Sequence, residues 1–210
     1  RSACVELDYG DATQLTLAAK GCDAAVHLVG ILKETAANRY VDAHERAMLA
    51  LVAAARAQRL RRIVYVSILG SDPASDNPAL ASRGHAERIL LDSGIDVLIL
   101  RVPMVLGEGD YAARALWRRA RSRIVWLARG ASLEQPIYAG DVVAAILAGV
   151  EASDDGARVL ELAGPESLSR TELVRRAAAM LGHRPRCVSV PLAPLLAVAW
   201  MAERWLSNPP

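Results

Sequence analysis

Short apolar runs of strand length alternate along this chain with segments of helical period, and that alternation limits the fold more than any single motif does. Ala3–Leu7 reads as a strand, and Asp11-Ala-Thr-Gln14 is a capping-box signature opening a helix to about Lys20. Ala24–Val29 reads as a second strand. From about Tyr40 to Gln58 the stripe Met48, Leu51, Val52 and Ala55 has the i, i+3, i+4, i+7 spacing of a helix with one buried face. Arg62–Ser67 is a third strand, Ser82–Leu91 a helix stopped by Gly94, and Ile95–Leu100 a fourth strand. The strands are apolar runs rather than alternating ones, as expected when helices cover both faces of a sheet. Strand, helix, strand, repeated, predicts right-handed βαβ units and a doubly wound parallel α/β sheet.

Beyond Leu106 the pattern is looser. Helices are expected at Tyr111–Ala120, around Val142–Val150, and after Ser169-Arg-Thr-Glu172, a second capping box whose helix ends at Gly182. Ile124–Leu127 is a short apolar piece, and Arg158–Leu162 a fifth strand. The length of 210 residues suits one domain, with residues 1–110 as the sheet core and 111–210 as a mixed C-terminal cap region.

Composition removes several function classes. A net charge of +2 gives no electrostatic reason for a nucleic-acid partner. The 3 cysteines are odd in number and unpaired in spacing, which points to a reducing, cytoplasmic setting. With 4 scattered histidines and no C-x-x-C, no metal site is expected. Lysine occurs only at positions 20 and 33, neither after a glycine, so there is no P-loop, and no G-x-S-x-G nucleophile elbow is present. The longest uncharged run, Cys187–Ala202, contains Pro191 and Pro194 and is short for a membrane span. The apolar stretch Leu192–Leu206, with Trp200 and Trp205, fits burial in the cap or against a partner, or a helix lying on a membrane surface.

Parallel strands end on one rim, where ligands bind in open α/β sheets. Those ends carry Asp8-Tyr9, Val29-Gly30, Ser67 and Arg101-Val102-Pro103. A dinucleotide needs a glycine-rich turn at a helix start for its diphosphate. The one match, Gly107-Glu-Gly-Asp-Tyr-Ala112, is a poor fit: Glu108 and Asp110 would set carboxylates beside the phosphates.

The segments VHLVG (26–30), RIVYVSILGS (62–71), NPALASRGHAERIL (77–90), LILRVPMVLGEGD (98–110), QPIYAGDVVAAI (135–146) and LAGPESLSRTELV (162–174) occur in an order that resembles the extended and atypical short-chain dehydrogenase/reductases. The likeness is to epimerase/dehydratase-like members related to the accessory subunit of respiratory complex I. The resemblance implies a Rossmann-like sheet that binds NAD or NADP, with the preference open. It also implies that the chain is N-terminally incomplete, lacking the family's Gly-rich strand-turn-helix, so that strand edges would be left unpaired.

Carried over position by position, the resemblance places Asp8 and Tyr9 at the adenine, and Leu28, Val29 and Gly30 along the adenine-side ribose. It also places Arg101, Val102, Pro103 and Met104 against the nicotinamide carboxamide. It departs from the family at the acid–base pair: Ala79 stands at the tyrosine position and Arg83 at the lysine position, where a guanidinium can bind a ribose or phosphate but not shuttle protons. Ser67 or Ile68 aligns with the serine that polarises a carbonyl. His44, four residues after Tyr40, is a weak substitute acid–base candidate, as Ser67 is a weak catalytic one.

Three functions follow from this reading. The first is an NAD(P)-binding protein with a degenerate catalytic motif, acting as an accessory or assembly factor near quinone or respiratory metabolism, with a respiratory or quinone-pathway protein or a membrane surface as partner. The second is an active reductase, epimerase or dehydratase on a small carbonyl or nucleotide-sugar-like substrate. The third is an interaction module without cofactor.

Overall fold

The computed structural model describes residues 4–153 and 156–191. The stretch Leu192–Leu206 singled out above lies outside the described residues, as does Ala3. The chain divides into two compact units, one made of residues 1–103 and 140–162, the other of 104–139 and 163–210.

The first unit is built on a four-stranded parallel sheet. After helix α1 (Ala12–Ala18) come strand β1 (Ala24–His27), a π-helical turn (Val41–Arg46) running into α2 (Ala47–Gln58), β2 (Arg62–Ile68), α3 (Pro78–Leu91) and β3 (Asp96–Val102). The second unit opens with β4 (Val105–Leu106), α4 (Tyr111–Ala120), β5 (Ile124–Ala128), β6 (Leu133–Glu134) and β7 (Ile137–Tyr138). The chain then returns to the first unit through α5 (Ala139–Glu151) and β8 (Ala157–Glu161), and closes with β9 (Leu168–Ser169), α6 (Arg170–Met180) and β10 (Arg186–Val190). The sheet order is β1-β2-β3-β8, every pair parallel.

Successive residues of one strand serve opposite faces, as the period of two requires. Ile63, Tyr65, Val97 and Ile99 pack with Met48, Val52 and Ala55 of α2 and with Ala86 and Leu90 of α3. Val64, Leu98 and Leu100 face the other way, against Ala145, Ile146 and Val150 of α5. The sheet is thus covered on both sides, the Rossmann-like arrangement expected from its uninterrupted apolar strands. α3 begins four residues before the apolar periodicity does, because Asn77 caps it by accepting from the Ala79 N–H at 3.0 Å and Pro78 supplies its first turn.

Over its described part, residues 4–7, the expected first strand is absent: these residues form no strand and pair with no described strand, and Val5 is 62% exposed. An apolar run becomes a strand only where a neighbour completes its ladder. Among the described residues, no strand lies beyond the free edge of β1.

In the second unit, β5 and β10 pair in parallel, and Val125 and Leu127 pack with Leu116 of α4 and Val174 of α6. Ser169 caps α6, accepting from the Glu172 N–H at 3.1 Å. The Glu172 carboxylate turns to Arg176 instead of back to the cap, so the second capping box is half formed.

Candidate functional site at the rim of the parallel sheet

Three strand ends, after β1, β2 and β3, reach one rim, as parallel pairing dictates. Asp8 follows no strand. Its Oδ1 accepts from the Gly10 N–H at 2.8 Å, and Gly10 abuts Arg46 of the π-helical turn. Tyr9 and Leu28 are exposed and Val29 is half-buried.

Gly30 and Arg83 meet. The Arg83 guanidinium lies against the Gly30 Cα so closely that any side chain at position 30 would displace it. Arg83 is 8% exposed, and among the described residues its hydrogen bond is a long 3.5 Å contact to the Tyr65 hydroxyl. No carboxylate among the described residues pairs with it. A buried guanidinium without an anion is costly and is normally compensated. Around it stand His27, whose ring lies 5.5 Å from that of Tyr65, and His44. Burial foremost, and then the Arg83 charge, push both imidazoles down to about 4, so both are neutral at pH 7. His27 Nε2 and His44 Nδ1 are buried without hydrogen-bond partners among the described residues. Tyr65 is 0% exposed, and burial raises its phenol pKa.

A second network adjoins this one through Tyr65, whose hydroxyl also meets the Ser67 side chain. The Ser67 hydroxyl donates to Glu87 Oε1 and sits 3.1 Å from Ser71 Oγ. Glu87, 2% exposed, receives Arg101 through Nη2 at 2.6 Å and Nε at 3.1 Å, and Arg101 also reaches Glu161 at 3.4 Å. The bond to Glu87 raises the Arg101 pKa further. Arg101 thereby ties β3 to α3 and β8. Val102 is buried, and its carbonyl accepts from the Leu69 N–H at 3.1 Å. Pro103 ends the first unit and Met104 opens the second.

The structure therefore brings Gly30 and Arg83 together with His27, His44 and Tyr65, and ties Ser67 and Arg101 to Glu87 beside them. Tyr65 and Glu87 are absent from the candidate list drawn from sequence. The i, i+4 step from Arg83 to Glu87 on one helical face was the available signal; the His27↔Tyr65 register that brings Tyr65 to the site appears only in the fold. A cavity of about 280 Å³, lined by Leu98, Ala145, Gly149 and Leu160, lies on the α5 side of the sheet and includes none of these polar groups.

For a dinucleotide, the fit divides. Arg83 against a bare glycine Cα offers a charged donor at a strand end to a ribose or phosphate. The G-x-G-x-x-A turn does not offer a diphosphate cradle. Asp110 caps α4 there, its carboxylate accepting from Ala112 N–H at 2.7 Å, Ala113 N–H at 3.1 Å and Gly107 N–H at 3.2 Å. The donors a phosphate would need are already taken.

A family model described as NAD(P)H-binding matches residues 1–122, more than half of the chain. The chain belongs to that NAD(P)H-binding family. Ceramide reductase of Caulobacter vibrioides is 27% identical over 206 residues, covering 97% of this chain and 65% of its own length. Subunit 9 of the NADH dehydrogenase [ubiquinone] 1 alpha subcomplex from Arabidopsis thaliana, a mitochondrial protein, is 27% identical over 194 residues, covering 89% and 48%. The chain thus spans between about half and two-thirds of these relatives. Among solved structures, UDP-glucuronic acid 4-epimerase from Bacillus cereus in complex with NAD superposes with a TM-score of 0.76 at 16% identity, over 86% of this chain and 67% of that one. MoeE5 in complex with UDP-glucuronic acid and NAD gives 0.74 at 22%, over 86% and 70%. These likenesses establish the Rossmann-like fold of NAD-binding epimerase/dehydratase structures. The expectation of an NAD(P)-binding, atypical short-chain dehydrogenase/reductase is borne out at that level.

Proposed function

We propose that this NAD(P)-binding chain holds its dinucleotide at the β1–β2–α3 rim through Arg83, as a structural or sensing element in an accessory protein rather than as the hydride partner of a tyrosine–lysine pair. The observation that carries the reading is the buried Arg83 guanidinium, unpaired with any described carboxylate and pressed onto Gly30. A ribose hydroxyl or phosphate arriving there satisfies donors that the protein leaves unmatched, and the binding free energy offsets their burial.

The nicotinamide ring supplies a hydride donor or acceptor when bound; the protein's part would be to move a proton. Each rim group able to do so is sealed or engaged. Tyr65 is fully buried, the Ser67 hydroxyl is held by Glu87, and His44 Nε2 accepts from the Ile31 N–H at 3.2 Å. This supports the degenerate reading, and the complex I relative supports a respiratory partner for it.

A working reductase on a carbonyl substrate is the second reading, favoured by the relative that is called a reductase and aligns over 97% of this chain. Two measurements separate them. NADPH and NADH binding to the full chain, followed by nicotinamide fluorescence, should be saturable and weakened at least tenfold in Arg83→Met. NADPH oxidation with a panel of aldehydes and ketones should be absent from the unmodified protein. Turnover that persists in Arg83→Met would overturn both the role of Arg83 and the accessory reading.

A further inference from the structure

The loop after β1 carries Gly30, and two side chains of one helical turn hold it. Tyr40, at the N-cap of the π-helical turn, donates its hydroxyl to the Leu32 carbonyl at 3.1 Å. His44, four residues on and 1% exposed, accepts the Ile31 N–H on Nε2 at 3.2 Å. The two rings stack, 5.6 Å between centroids and 20° between planes. Glu34 anchors the far end of the loop, its carboxylate accepting from the Tyr40 N–H at 2.8 Å and from Arg39 Nε at 3.0 Å. A π turn widens the helix locally, and such turns recur at functional sites.

We propose that Tyr40 and His44 form a clamp that fixes the Gly30–Leu32 backbone, so that His44 is a positioning residue for the dinucleotide at Arg83 and not an acid–base catalyst. This deepens the dinucleotide reading above and rests on it. An Nε2 that accepts an amide proton requires the proton on Nδ1, which sets one neutral tautomer. Burial and the Arg83 charge from α3 disfavour a second proton on His44 and outweigh the Glu45 carboxylate of its own turn, which favours one while accepting from Ser82 Oγ at 2.8 Å. The other imidazole nearby, His27 on β1, is neutral too. Protonated His44 would face the Ile31 N–H donor to donor, and the clamp would open.

The test combines amide hydrogen exchange at Ile31, read by NMR, with NADPH affinity. His44→Phe keeps the ring stacked on Tyr40 and removes the acceptor. It should speed Ile31 exchange at least tenfold, weaken NADPH several-fold, and leave the β2 amides of Val64–Val66 unchanged. His44→Gln, whose side-chain carbonyl reaches the place of Nε2, should restore part of both. Unchanged Ile31 exchange in His44→Phe would overturn the clamp, as would faster exchange with unaltered NADPH affinity. If His44→Phe does not fold, Tyr40→Phe, which deletes one hydroxyl, carries the test: backbone exchange in the loop should rise several-fold, and no rise would overturn the proposal. If the unmodified protein binds no NADPH, the dinucleotide reading falls, and Ile31 exchange alone still decides the clamp.

Discussion

Arg83 stands where the resemblance puts a lysine, and a guanidinium changes what the position can do. It cannot release a proton at physiological pH, but its planar fork can donate to two oxygens at once. Replacing it with methionine removes a buried charge that has no described carboxylate partner, and such removals are often neutral or stabilising. Arg83→Met should therefore be no less stable than the unmodified chain by urea denaturation while binding NADPH at least tenfold more weakly, about 1.4 kcal/mol. Gly30→Ala should act through the same contact. The new methyl meets the mobile end of Arg83 rather than backbone, so affinity should fall with little loss of stability. The two neutral imidazoles give a pH signature. Both have folded pKa values of about 4, below the ordinary 6.5, so the unfolded chain binds more protons in that interval. Stability contributed by keeping them neutral is complete above pH 6.5 and is lost as pH falls toward 4. Urea midpoints at several pH values should show that decline, and His27→Gln should flatten it.

At the level of elements, α3 matters most, since it carries both Arg83 and Glu87 and leans on the sheet through Ala86 and Leu90. Glu87 joins Ser67 of β2 to Arg101 of β3, and deleting it strands a guanidinium whose other carboxylate is the surface residue Glu161. Glu87→Ala should cost about 3–5 kcal/mol, the usual penalty for breaking a buried pair from one side. Gly84 lets α3 approach the Asp72–Pro73 backbone, which a methyl group would strike. Gly84→Ala should lose about 1–3 kcal/mol, the cost of overpacking.

The two central strands were legible because a strand buried on two faces must be apolar throughout, and Arg62–Ser67 and Ile95–Leu100 leave no other reading. The helix at Tyr111–Ala120 was legible to the residue, since Asp110 caps it. Ala3–Leu7 misled for the same reason that the others succeeded: composition reports apolarity, while a strand also needs a partner. At the site, Gly30 and Arg83 were named from separate segments, but their contact was invisible, being set by how α3 packs on β2 and β3. Arg101 looked like a ligand group because a sequence does not show that Glu87 and Glu161 flank it. The π-helical turn gave no sign, since its apolar spacing continues into α2.

Gly30, Arg83, His27, His44 and Tyr65 all fall within the unit formed by 1–103 and 140–162. No helix among the described residues is long and apolar enough to cross a membrane. The first unit presents β1 as a strand paired on one side, with Val26 and Leu28 exposed beside it. A ligand that bridges Gly30 and Arg83 would stiffen the fold at this edge, and by mass action would raise stability by about 2.7 kcal/mol at a hundredfold excess over its dissociation constant.

Arg83 is held without a described carboxylate partner, in a place that can receive an anion from a ligand. Thermal unfolding of the full chain with increasing NADPH, alongside Arg83→Met, tests it most directly. A saturable rise in Tm in the unmodified protein, lost in Arg83→Met while its own Tm without ligand is unchanged or higher, is the result predicted. Equal rises in the two proteins, or a ligand-free Tm that collapses when Arg83 is replaced, would contradict it.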